Sequence, residues 1–398
     1  MLEATIVDGS KSRHKGRVSE VVASLPKSGI RDFFELVNSM DDVISLGIGE
    51  PDFATPWRIR DAAIRSLEQG RTSYTSNLGA LALRERVCSY VSENYGVSYD
   101  PVSECIITVG VSEALDLALR ALLNPGDEVV YHEPCYVSYA PGVRMAGGVP
   151  VVAPTGPENG FALSADDFEA VLSPRTKALL LNFPCNPTGA SMDLERLRRV
   201  AEIASERDLV VVTDEIYSEL TYDGRHVSIA SLPGMRERTL FLHGFSKAYA
   251  MTGFRIGYAC GPADLIDAMM TVHQYSMLCA PTLAQDAAVE ALDNARGDME
   301  EMRESYRQRR NLMVSRLNEM GLDCVKPKGA FYAFPSIAST GLSSGEFATR
   351  LLKEKSVAVV PGTAFGACGE GFVRCAYAAS IEDINEAMNR IEDFIGSL

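Results

Sequence analysis

The chain reads as an α/β protein, a large unit with a mostly parallel central sheet flanked by helices and a smaller α+β unit. Two observations predict it. Between about residues 60 and 275, short β-rich runs alternate with amphipathic stretches, the pattern of βαβ units. Beyond residue 281 that alternation gives way to a long charged helical segment, then short strand-like pieces and a final helix.

The first clear strand is Cys105-Ile106-Ile107-Thr108-Val109, followed by Glu128 to Tyr131, Ala178 to Leu181, Leu209 to Val212 and Thr239 to Leu242. Their near-continuous apolar character fits strands buried on both faces. Pro281 to Met320 reads as one long helix or two joined ones. Strand-like pieces follow at Ala330 to Pro335, Val357 to Val360 and Phe372 to Tyr377, then a helix from Ile381 to Ile395. A further helix is expected at Gly29 to Asn38. The division expected is an N-terminal arm over 1–14, a small domain over 15–50 and 300–398, and a large domain over 51–299.

The 398 residues carry 53 acidic and 38 basic side chains, a net charge of −15. Such a surface repels nucleic-acid phosphates and anionic membranes, so neither is an expected partner. The one basic cluster, Lys11 to Arg17, reads as a solvated tail. No apolar run approaches the roughly 18 residues that cross a bilayer, and no secretory core opens the chain. Nine cysteines without a CxxC pair suit a reducing compartment, so the cytoplasm is the expected location. They and five scattered histidines give no local metal-binding spacing, so no metal is expected.

In an open α/β sheet, ligands bind outside the carboxyl ends of the strands. Val109 is followed by Gly110-Val111-Ser112-Glu113, and Leu181 by Asn182-Phe183-Pro184-Cys185-Asn186-Pro187-Thr188-Gly189. Val212 is followed by Thr213-Asp214-Glu215-Ile216-Tyr217, and Leu242 by His243-Gly244-Phe245-Ser246-Lys247. Singly these read as an exposed lysine, helix caps and a turn. Together they put a glycine turn, an asparagine, an aspartate and a lysine at one edge of the sheet.

In that order the motifs resemble the class I and II aminotransferases, fold type I enzymes that use pyridoxal phosphate. The resemblance runs from Ile44 to Ala378. It rests on Gly49-Glu50-Pro51-Asp52-Phe53, Asn186-Pro187-Thr188-Gly189, Asp214-Glu215-Ile216-Tyr217, Ser246-Lys247, Gly253-Phe254-Arg255-Ile256-Gly257, Pro361-Gly362 and Arg374. Within the family it is most similar to the bacterial and archaeal aspartate and aromatic aminotransferases. The resemblance implies that Lys247 carries the cofactor covalently and moves the substrate α-proton. It implies that Asp214 pairs with the pyridine nitrogen, and that Asn186 and Tyr217 donate to the ring's phenolate oxygen. Tyr136 would stack on the ring face. Val111, Ser112 and Arg255 would hold the phosphate, and Tyr74 would reach the phosphate of a partner subunit, which implies a homodimer. Gly244 stands where many relatives have a serine that donates to the phosphate.

Arg374 would grip the substrate α-carboxylate, helped by Asn186 and the backbone of Gly49. Its bland reading is a structural ion pair, since a buried arginine cannot stay unpaired. Ile30 matches a region that closes over substrate. The implied activity is ping-pong transfer of an α-amino group from an L-amino acid, of aspartate or aromatic type, to a 2-oxo acid such as 2-oxoglutarate. The alternative with the same cofactor is a carbon–sulfur β-lyase. A regulator that senses pyridoxal phosphate is the rival from another class. Such proteins carry a basic DNA-binding domain first, whereas here about 40 residues of an acidic chain precede the first motif.

Overall fold

A computed structural model describes residues 16–25 and 42–398. The expected helix at Gly29 to Asn38, the arm over 1–14 and Ile30 lie outside the described residues.

Seven strands form the central sheet: β2 (Cys105–Thr108), β3 (Glu128–Glu133), β4 (Val149–Pro154), β5 (Thr176–Asn182), β6 (Val210–Asp214), β7 (Thr239–Gly244) and β8 (Gly257–Cys260). Their order across the sheet is β2-β8-β7-β6-β5-β3-β4. β7, β6, β5, β3 and β4 run parallel. β8 is antiparallel to both of its neighbours, β2 and β7. Side chains alternate across each strand, and both faces are buried. Ile106, Val129, Leu180, Val212 and Leu240 pack on one side, under the helix Gly110–Leu122. Ile107 and Phe241 pack on the other, as do Val130, Leu179 and Val211. Double burial is why these strands are so uniformly apolar in sequence.

The segment from 281 to 320 forms two helices, Thr282–Asn294 and Arg296–Glu319. The last part of the chain supplies β9 (Tyr332–Ala333), β10 (Val357–Ala358), β11 (Val360–Pro361), β12 (Val373–Ala376) and the helix Ile381–Gly396. β12 pairs antiparallel with both β11 and β9. β1 (Ile44–Ser45) pairs parallel with β10. Leu46 extends that pairing, its N–H donating to Ala358 at 2.8 Å and its carbonyl accepting from Ala376 at 2.7 Å. This threads Gly47 and Gly49 past β12, beside Arg374.

Candidate active site

The carboxyl ends of β2, β5, β6 and β7 open onto a cavity of about 620 Å³. Lys247, Asp214, Tyr217, Asn186, Val111, Ser112, Tyr136, Arg255, Gly49 and Arg374 all line it. The structure therefore brings together ten of the twelve residues expected from the sequence. Tyr74 is 80% exposed and lies outside the cavity wall, and Ile30 falls outside the described residues.

β7 delivers Lys247. Its Nζ donates to the Gly49 carbonyl at 2.6 Å and sits 5.8 Å from the centre of the Tyr217 ring. Burial, reinforced by the Arg374 and Arg255 charges and opposed by Glu50, pulls the amine down to about 8. β6 delivers Asp214, fully enclosed, where burial holds the carboxyl up at about 6. Tyr139 Oη donates to its Oδ2 at 2.9 Å and the Ile216 N–H to its Oδ1 at 3.2 Å. Among the described residues no cation pairs with it. A buried carboxylate facing a cavity without a counter-charge is a receptor for a cationic group.

The opposite charge is prepared at Arg374. Its Nη1 donates to Asn186 Oδ1 at 2.8 Å and its Nη2 to the Gly47 carbonyl at 2.6 Å, while its Nε is buried without a partner. The guanidinium lies over the Tyr332 ring at 4.5 Å and the Phe365 ring at 4.8 Å. No carboxylate pairs with it among the described residues. Among the described residues, the cavity thus holds a buried cation without a counter-ion, which an incoming carboxylate can complete.

A third feature suits a phosphate. The helix Gly110–Leu122 points its first turn into the cavity with no side chain capping it, which leaves main-chain N–H groups open. Gly110 has φ +74°, and a Cβ there would stand 2.7 Å from Arg255 Nη2, so a glycine is needed for that guanidinium to reach the helix end. Arg255 arrives because β8 is antiparallel: it precedes the strand, yet the start of β8 lies at the same edge as the ends of its neighbours.

The missing serine at Gly244 also has a structural cause. A Cβ at Gly244 would meet Gly257 Cα and the Ile256 carbonyl at 3.0 Å, and Val111 Cγ2 at 3.1 Å. Gly244→Ser is therefore expected to cost the apoprotein about 1–3 kcal/mol from overpacking, read as a lower Tm, rather than to improve phosphate binding. Ser246, two residues on, lines the cavity as a hydroxyl donor instead.

Two site residues were not anticipated. Tyr139, inside a short helix, bonds Asp214. Tyr332 on β9 bonds Tyr217, hydroxyl to hydroxyl, at 2.8 Å. Asn182, at the end of β5, ties the site together by donating through Nδ2 to the Asp214 carbonyl at 2.8 Å and accepting from the Asn186 N–H at 3.1 Å.

Known proteins are similar to this chain in sequence and in fold. The sequence profile described as "Aminotransferase class I and II" matches residues 41–391. The chain is 54% identical over 378 residues to the putative aminotransferase YugH of Bacillus subtilis, covering 95% of this chain and 98% of that one. It is 46% identical to aromatic-amino-acid aminotransferase 2 of Thermococcus litoralis, covering 94% and 97% of the two chains. It is 47% identical to an aspartate aminotransferase of Pyrococcus abyssi, covering 92% and 95%. Among solved structures it superposes on the aromatic aminotransferase of Pyrococcus horikoshii with TM-score 0.88 at 47% identity, covering 92% of this chain and 99% of that one. On the Thermus thermophilus aspartate aminotransferase with maleate the TM-score is 0.90 at 42% identity, covering 94% and 99%. With its profile match spanning most of the chain and its lysine, aspartate and arginines meeting at the sheet edge, this chain belongs to the class I and II aminotransferases and is a pyridoxal-phosphate-dependent transaminase.

Proposed function

We propose that the enzyme transfers the α-amino group of an aspartate-type or aromatic L-amino acid to a 2-oxo acid such as 2-oxoglutarate. The observation that carries this reading is one cavity holding a neutralisable lysine, a buried aspartate and a buried arginine, the latter two without an ion-pair partner among the described residues. The substrate class is supported by relatives that bear the names aspartate and aromatic aminotransferase. Those relatives lend nothing to a carbon–sulfur lyase.

Bound pyridoxal phosphate supplies an electron sink that acidifies the substrate α-proton. This chain's residues do the rest. Lys247 Nζ would be the attachment point and the base that takes the substrate α-proton. Asp214 would hold the ring nitrogen in its protonated form. Asn186 Nδ2 and the Tyr217 hydroxyl, which Tyr332 fixes, would donate to the phenolate oxygen. Tyr136 would cover the ring face. The N–H groups of Val111 and Ser112, the Ser112 hydroxyl and Arg255 would hold the phosphate. Arg374, with Asn186 and the Gly49 backbone beside it, receives the substrate α-carboxylate.

We place the enzyme in the cytoplasm as a homodimer in which Tyr74 reaches the phosphate of the partner subunit. The exposure of Tyr74 and the nine unbridged cysteines support this, and no described helix is long and apolar enough to cross a membrane.

The test is a half-reaction screen, in which enzyme is mixed with single amino acids and the change in cofactor absorption is followed. Fast conversion by aspartate or by phenylalanine and tyrosine is expected. Conversion confined to other amino acids overturns the substrate class. Ammonia and pyruvate released from cystathionine without an oxo-acid acceptor would overturn the reaction type.

Tyr139→Phe removes one hydrogen bond that keeps Asp214 ionised and leaves the packing intact. The loss of about 1–1.5 kcal/mol is expected to weaken cofactor retention roughly tenfold and to raise the Asp214 titration further above its ordinary range. Equilibrium dialysis of the cofactor against pH checks both effects.

A further inference from the structure

Three cysteines remote in sequence converge in the core on the face of the sheet that holds Ile107 and Phe241. The sulfurs of Cys88, Cys105 and Cys260 all lie within 4.8 Å of one another. Cys105 on β2 and Cys260 on β8 are direct cross-strand partners. Cys88 comes from the helix Leu81–Tyr95. All three are buried, and none lines the catalytic cavity.

Buried cysteines often serve only as small apolar side chains. Two features here go further. The first is geometry. A metal–sulfur bond of about 2.3 Å in a trigonal plane sets sulfurs about 4 Å apart, so this triangle needs little adjustment to close on one ion. No carboxylate or imidazole joins the group among the described residues, which disfavours zinc with its four ligands and suits a soft cation content with three thiolates. The second is charge. Arg84 is buried one helical turn before Cys88, and its guanidinium donates only to the main-chain carbonyls of Gly79, Pro101 and Val102. It has no acidic side-chain partner among the described residues, and its charge acts on both Cys88 and Cys105. A buried cation of this kind favours nearby thiolate.

We propose that Cys88, Cys105 and Cys260 form a trithiolate site for a soft d10 cation, copper(I), separate from the catalytic cavity. Binding is ligand exchange without electron transfer. Each thiol that bonds the ion gives its proton to solvent, three in all, and Arg84 offsets part of the negative charge of the resulting complex.

The test titrates reduced, anaerobic holoenzyme with copper(I) against a coloured copper(I) chelator. One equivalent per chain should be withheld from the chelator, with a new thiolate-to-copper absorption in the near ultraviolet. X-ray absorption of the wild-type complex should show three sulfur neighbours and no nitrogen or oxygen. Cys88→Ser and Cys260→Ser should each weaken retention by more than the roughly 100-fold that loss of an outer-shell partner costs. Cys279→Ser and Cys368→Ser, at the two less buried cysteines, should leave retention unchanged. The proposal is overturned if no copper is withheld, if retention depends on Cys279 or Cys368, or if the absorption edge reports nitrogen or oxygen ligands. Circular dichroism of each copper-free variant separates loss of ligand from loss of fold, and the X-ray measurement needs no variant.

Discussion

Replacing Lys247 with alanine is expected to lower kcat/KM for amino transfer by about 10⁴-fold, the upper range for loss of a positioned acid–base group. The fold should survive. Lys247 makes one hydrogen bond, to the Gly49 carbonyl, and its Nζ lies 5.8 and 5.6 Å from the centres of the Tyr217 and Phe331 rings, which keep their own packing. An unchanged Tm with abolished turnover therefore separates a chemical role from a structural one. The wild-type apoprotein offers a second readout. Only the neutral amine attacks an aldehyde, and burial holds this amine at about 8. The lysine is protonated below that value, so covalent uptake of cofactor should rise about tenfold per pH unit up to pH 8 and level off above it. Lys247→Arg keeps the charge but has no titration in that range, and should take up no cofactor covalently at any pH tested. Near-normal transamination by Lys247→Ala, or a covalent adduct on another side chain, would refute the assignment.

What made this lysine visible in the sequence was its place after an apolar run, taken together with the order of motifs that resembles the class I and II aminotransferases. Parallel strands covered on both faces must be apolar throughout, so β2, β3, β5, β6 and β7 announce themselves, and the polar residue ending each one stands out. Strand direction leaves no such mark. Gly257–Cys260 is a short apolar run like the others, and nothing in it says that β8 runs backwards. Yet that reversal places Arg255, which precedes β8, at the same edge as the strand ends. Tyr139 and Tyr332 were missed for a different reason. A tyrosine amid apolar neighbours looks like core, and only the tertiary structure shows which hydroxyl meets Asp214 and which meets Tyr217. The three clustered cysteines escaped because metal spacing is read locally, whereas residues 88, 105 and 260 meet only after the sheet has formed.

Arg374→Lys is expected to lower kcat/KM for α-amino acids by about 10²- to 10³-fold, mainly through KM, with little change in Tm. Two of the guanidinium's directions are already spent on Asn186 Oδ1 and the Gly47 carbonyl, and the buried Nε is the donor without a partner. A lysine keeps the charge but cannot hold those two acceptors and offer a planar fork to a carboxylate as well. Losing one or two charge-assisted hydrogen bonds at about 1.5–3 kcal/mol each sets the size of the effect. Arg374→Ala should be worse in a distinguishable way, since it also empties the slot between the Tyr332 and Phe365 rings and should lower Tm. An amine donor lacking the α-carboxylate provides the control, because its slow turnover should be nearly the same in wild type and Arg374→Lys. If that donor suffers as much as the amino acids do, Arg374 is holding the wall of the cavity rather than the substrate.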